Sequence, residues 1–139
     1  MSVEIRHGVP PLADYLRLRA DSGLTPRSEA AAKAGLPNTV AAVTAWTDGR
    51  AVGMARAVGC GLNYEVVDVA VDPAHHRQGI GDRMMAALMD RLRDIAPAEA
   101  YVSLVADLPA DTLYARHGFR PVAPASIGMA QWIGRGDAA

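Results

Sequence analysis

The segment Tyr64-Glu-Val-Val-Asp-Val-Ala-Val71 constrains this chain most. Its apolar residues do not alternate with polar ones, so apart from Glu65 and Asp68 they fill both faces of a strand, the pattern of a central strand covered on two sides. Pro73 ends the run, Gly79 and Gly81 punctuate the loop that follows, and Met84, Leu88, Leu92 and Ile95 then recur at helical spacing up to Pro97. A second β-rich run, Tyr101 to Val105, returns after the helix. If the two strands are parallel, the unit is a right-handed crossover, and a ligand would bind at its strand-to-helix loop.

The flanking sequence supplies the rest of a sheet. Val3 to Arg6 reads as an opening strand, and Pro10-Pro11 start a helix through Leu12, Tyr15, Leu16 and Leu18. Ser28 caps a second helix that Gly35 and Pro37 stop. Val40 to Thr47 and Ala51 to Val58 flank Asp48-Gly49, a strong hairpin signal, and should pair antiparallel. Past the crossover, Pro109 to His117 reads as a short helix ended by Gly118, Phe119 to Val122 and Met129 to Ile133 as late strands, and Gly134 to Ala139 as a frayed tail. The order predicts one α+β domain over residues 1–139, with a mixed, mostly antiparallel twisted sheet flanked by helices.

Composition narrows the function classes. Half of the 139 residues are hydrophobic and 21% are charged, enough apolar material for a single core. Fourteen Lys and Arg against 15 Asp and Glu leave no cationic excess for a nucleic-acid backbone. Glu4 and Arg6 interrupt the amino end, and no segment reaches the roughly 20 apolar residues of a membrane span, so a cytoplasmic protein without nucleic-acid or membrane partners is expected. The lone cysteine, Cys60, sits in a glycine turn without an activating histidine nearby, and no His or Cys spacing suits a metal.

The loop His76-Arg77-Gln78-Gly79-Ile80-Gly81 is suited to an anion. Glycines leave backbone amides bare, the helix dipole favours negative charge, and Arg77 adds a countercharge. Such a short glycine motif also occurs as a plain tight turn. A Walker loop needs a Gly-Lys pair absent here, and a dinucleotide fingerprint needs glycine where Met84 stands.

With an apolar strand before it and a helix after it, this loop resembles the acyl-CoA-binding motif of the GNAT superfamily of N-acyltransferases. That motif runs Gln or Arg, two residues, Gly, one residue, then Gly or Ala. A second family signature follows at the expected place as Ala110-Asp-Thr-Leu-Tyr114-Ala-Arg-His-Gly118-Phe119. The resemblance spans about Val3 to Ile133 and is sharpest from Asp68 to Phe119. With Asp107, Ser103 and Ile127-Gly-Met129, the chain looks most like the small plant serotonin-acetyltransferase-like branch and its bacterial relatives. His76 departs from the family by standing in the Gln or Arg slot. Because the loop works chiefly through main-chain amides, the departure weakens one side-chain contact and leaves the site.

The resemblance implies acetyl-CoA as co-substrate, held by His76 to Gly81, with Val69, Ala70 and Val71 pairing along its pantetheine arm and polarising the thioester carbonyl. A primary amine is mostly protonated at pH 7, so acyl transfer needs a base, and the departing thiolate needs an acid. Tyr114 matches the family's general acid. Asp68 and Glu65 are the candidate bases, Asp68 first, since a carboxylate in an apolar strand calls for a partner or a task. Asp107 stands where the branch carries another acid, although a turn acceptor before Pro109 would serve as well. Together these residues imply direct acetyl transfer to a small-molecule amine, an acidic pocket suiting a cationic one, in a chain whose exposed late strands could pair into a homodimer. Transfer to protein lysines or amino termini, and a non-catalytic acyl-CoA-binding module, are the alternatives.

Overall fold

The computed structural model describes residues 2–134. Five strands form one sheet in sequence order: β1 (Glu4–His7), β2 (Ala41–Thr47), β3 (Arg50–Gly59), β4 (Asn63–Val71) and β5 (Tyr101–Ser103). The first three pairings are antiparallel and the β4–β5 pairing is parallel, which makes the crossover expected from the apolar runs. Asp48 and Gly49 carry φ of 51° and 73° at the β2–β3 turn, the left-handed pair that a two-residue hairpin requires.

Helices cover both faces of the sheet. α3 (Ile80–Ile95) lies on one, where Met84, Met85, Leu88 and Leu92 are buried against Val43, Val52, Ala55, Tyr64 and Val66. On the other lie α1 (Leu12–Asp21) and α2 (Glu29–Gly35), whose Tyr15, Leu18 and Ala32 pack on Ala51, Met54 and Ala70. Ser28 caps α2 as its sequence indicated, its Oγ accepting from the Ala31 amide at 3.1 Å. Small side chains on β2 and β3 let the helices close on the sheet.

Two features of β4 prepare the site. A bulge shifts its register with β3: Arg56 faces Val67 while Met54 faces Ala70. Asp68 carries the irregularity, with φ of 55°, so Tyr64 and Val66 point to the α3 face whereas Asp68 reaches the α1 face. In addition, β5 pairs with β4 only from Asn63 to Glu65, and among the described residues no strand lies on that edge beside the remaining β4 residues up to Val71.

The carboxyl-terminal part departs from expectation. Phe119 to Val122 and Met129 to Ile133 are irregular, not strands. β5 stops at Ser103, short of the expected Val105, and Pro121 lacks the amide a ladder needs, so neither later segment finds a strand to pair with. The short helix is also trimmed to α4 (Asp111–Ala115). Of the expected tail, residues 135–139 lie outside the described residues.

Candidate active site

The glycine loop is built as an anion cradle. After β4, Asp72 caps a single 3-10 turn at Pro73–His75, and the chain then turns back through Arg77 and Gly79, whose φ values are 64° and 75°. Gly79 begins α3 in the left-handed region, where a side chain would be strained, and space beside it is open. Among the described residues no side chain caps α3, so its first-turn amides face a cleft of about 210 Å³ bordered by Val71, Arg77, Gly81 and Arg116. A Cβ on Gly81 would stand 3.2 Å from Leu113 Cδ2; its absence lets α4 close one wall of the cleft.

His76 takes a different part from the expected contact. Its Nε2 donates to the Val71 carbonyl at 2.9 Å, tying the loop to the end of β4. Facing the cleft from α4, Arg116 binds Asp82 of α3 through both guanidinium edges, Nε to Oδ1 at 3.0 Å and Nη2 to Oδ2 at 3.1 Å. His117 Nε2 adds a contact to Oδ1 at 3.0 Å. These donors hold the Asp82 carboxyl below its ordinary range, Arg116 contributing most. They also offset the one negative charge in the first turn of α3, which would otherwise oppose a bound anion.

Val69, Ala70 and Val71 lie on the β4 edge that β5 leaves open, as an extended ligand arm would require. Tyr114 lies on α4, 9% exposed, with its ring edge-on to Phe119 at 6.3 Å between centroids, and lines a cavity of about 420 Å³ with Leu104, Ala106 and Phe119. Burial, and secondarily the charge of Asp107, raises its hydroxyl above the usual tyrosine value. The group therefore stays protonated and can donate. Asp107 is exposed in the loop after β5. Glu65 is also exposed, at the last β4–β5 pair, opposite Ser103, on the strand face away from α3.

Asp68 is differently placed from the other acids. Its side chain is 6% exposed and both oxygens are occupied. Arg19 Nη1 binds Oδ1, while Oδ2 accepts from Arg56 Nε at 2.5 Å and from the Tyr15 hydroxyl at 2.9 Å. Arg19 is in turn fixed by the Thr25 carbonyl. Two guanidiniums thus flank one carboxylate, and the expected acidic pocket is a basic cluster here. Arg19, Arg56 and Arg116 were not singled out from sequence. Arg56 had a readable signal, as the one charge inside the apolar run Ala51 to Val58.

The loop fits the pyrophosphate end of a CoA thioester: open amides, a positive-φ glycine beside free space, and Arg77 and Arg116 at the rim. His75 Nδ1, at the same cleft, is buried without a hydrogen-bond partner among the described residues. Among the described residues no three His, Cys, Asp or Glu side chains group as metal ligands, and no helix is long and apolar enough to cross a membrane.

Comparison with known proteins agrees with this geometry. Residues 39–121 match the family model of the acetyltransferase (GNAT) domain. SA2161 from meticillin-resistant Staphylococcus aureus, a protein of unknown function described as a probable acetyltransferase, superposes with a TM-score of 0.90 at 36% identity, over 94% of this chain and 99% of that one. The GNAT family protein SP0256 from Streptococcus pneumoniae superposes with a TM-score of 0.74 at 28% identity, over 96% and 99%. Glucosamine-6-phosphate N-acetyltransferase from Arabidopsis thaliana shares the fold, with a TM-score of 0.72 at 15% identity over 96% and 99%. No curated protein sequence matches significantly. The chain therefore belongs to the GNAT family of acetyltransferases.

Proposed function

We propose that this protein is an acetyl-CoA-dependent N-acetyltransferase acting directly on a small-molecule amine, with residues 1–139 as one catalytic domain. The observation that carries this reading is the conjunction, along one crossover and the helix after it, of a glycine loop whose amides face a cleft, a β4 edge that β5 leaves open and a buried tyrosine on α4. Amides of Gln78 to Gly81 hold the pyrophosphate, helped by Arg77 and Arg116. Main-chain groups of Val69 to Val71 align the thioester and donate to its carbonyl oxygen as charge develops there.

Glu65, exposed on the face shared with α1 and α2, takes a proton from the ammonium form of the acceptor through water. The freed nitrogen attacks the thioester carbonyl, the C–N bond forms, the C–S bond breaks, Tyr114 protonates the departing sulfur, and the second proton leaving nitrogen restores the Tyr114 hydroxyl through water. Asp68 is a positioning residue in this scheme, since three donors already occupy its oxygens. Asp107 acts through its field on Tyr114.

Release of CoA from acetyl-CoA over a panel of amines tests the reading. Amine-dependent release is expected, falling at least about a hundredfold in Tyr114→Phe. Tight CoA binding with no turnover on any amine would instead favour a binding module. We assign the protein to the cytoplasm, and read the exposed Ile127, Met129 and Ile133 as covered by a second copy in a homodimer, which sedimentation would reveal.

A further inference from the structure

The face of the sheet that Glu65 shares carries a second cavity, of about 250 Å³, between α1, α2 and β3, lined by Tyr15, Arg27, Ala31, Gly35, Leu36 and Arg56. Two of these residues are cations and none is acidic. Arg56 spends its Nε on Asp68 and its Nη1 on Thr39 Oγ1, at 3.1 Å, leaving Nη2 without a hydrogen bond among the described residues. Arg27 is exposed, and its guanidinium lies 4.9 Å from the ring centre of Trp132 with no hydrogen bond or carboxylate among the described residues. Behind them Arg19 closes on the same Asp68. Two guanidiniums therefore hold a single carboxylate that is turned inward, and Arg27, on the opposite wall, has no acid beside it among the described residues.

A cavity this small, with cationic walls, is unsuited to a bare cationic amine and too confined for a peptide. It does suit one small anionic group. Arg56 and Tyr15 line it and also hold Asp68 at the β4 bulge, so the cavity lies one side chain away from the strand edge where acyl transfer takes place. We infer that the acceptor is an amine bearing a carboxylate or phosphate, with the anion in the pocket between α1 and α2, held by Arg27 and Arg56, and the amino group directed towards Glu65. This inference rests on the acetyl-transfer reading above and narrows it to a substrate class.

The test compares matched acceptors with the full-length protein and acetyl-CoA: ethanolamine against phosphoethanolamine, and tyramine against tyrosine. The first pair reads phosphate and the second carboxylate. At least one anionic member is expected to exceed its neutral partner about thirtyfold or more in kcat/KM. Arg27→Ala, at an exposed position, should reduce that ratio to about threefold or less, while Arg27→Lys retains part of it. Equal or better turnover of the neutral members overturns the inference and leaves N-acetylation standing, as does a preference that Arg27→Ala does not change. If no amine is acetylated, the acetyl-transfer reading falls, and calorimetric titration of the CoA-saturated protein with phosphoethanolamine and tyrosine decides the pocket. Heat seen with wild type and lost in Arg27→Ala supports an anion site, and absence of heat refutes it.

Discussion

Asp68→Asn separates a structural carboxylate from a catalytic one. The side chains of Asp68, Arg19 and Arg56 are 6%, 7% and 17% exposed, so little solvent is available to replace the lost charge. Asparagine leaves two guanidiniums facing each other at the β4 bulge, and removing one partner of a buried ion pair costs about 3–5 kcal/mol. In a domain of this size that is a fall in Tm of roughly 10–20 °C, measured by circular dichroism at pH 7. Replacing Arg56 by Met in the same chain should restore part of the loss, because the repulsion it relieves exists only without the carboxylate. Kinetics well below the new Tm then report on chemistry. If Asp68 only positions, the acidic limb of the kcat/KM profile persists in Asp68→Asn and disappears in Glu65→Gln. A variant that melts within about 2 °C of wild type yet loses the acidic limb would refute this assignment and make Asp68 the base.

Other consequences follow from the same geometry. Tyr114 is raised above the usual tyrosine value by burial and by Asp107, so activity should hold above pH ~10 before its alkaline limb falls, and Asp107→Asn should move that limb to lower pH. Gly79→Val puts a β-branched side chain at a φ of 75° beside the cradle, and should weaken CoA binding at least about tenfold by calorimetry. Asp82 is held below its ordinary value by Arg116 and His117, so its ion pairs stabilise above pH ~4 and are lost as pH falls through the depressed value. Asp82→Asn should therefore lower Tm only slightly at pH 7, since the pair is exposed, with the difference vanishing in acid.

What could be read beforehand depended on the range of the interactions. β4, its loop and α3 were legible because apolar periodicity, Gly79 and Pro97 are local signals, and burial of Met84, Leu88 and Leu92 follows from that periodicity. The late strands misled for a non-local reason. Phe119 to Val122 has strand-forming residues, but a strand needs a neighbour, and β5 ends too early to provide one. The chemistry of Asp68 was half legible: a lone acid in an apolar strand does demand an explanation. Its partners were not legible, because Arg19 lies 49 residues away and the positive φ that turns the carboxylate towards it belongs to a bulge. Arg116 joins the cleft only because α4 packs against the start of α3, a contact that no spacing announces.

The account stands or falls on where CoA lies, and a crystal structure of the CoA complex measures that directly. The pyrophosphate oxygens should accept from the amides of Gln78 to Gly81, with the pantetheine arm along Val69 to Val71 and the sulfur beside the Tyr114 hydroxyl. Density for CoA elsewhere on the molecule, with that loop turned to solvent, would contradict it.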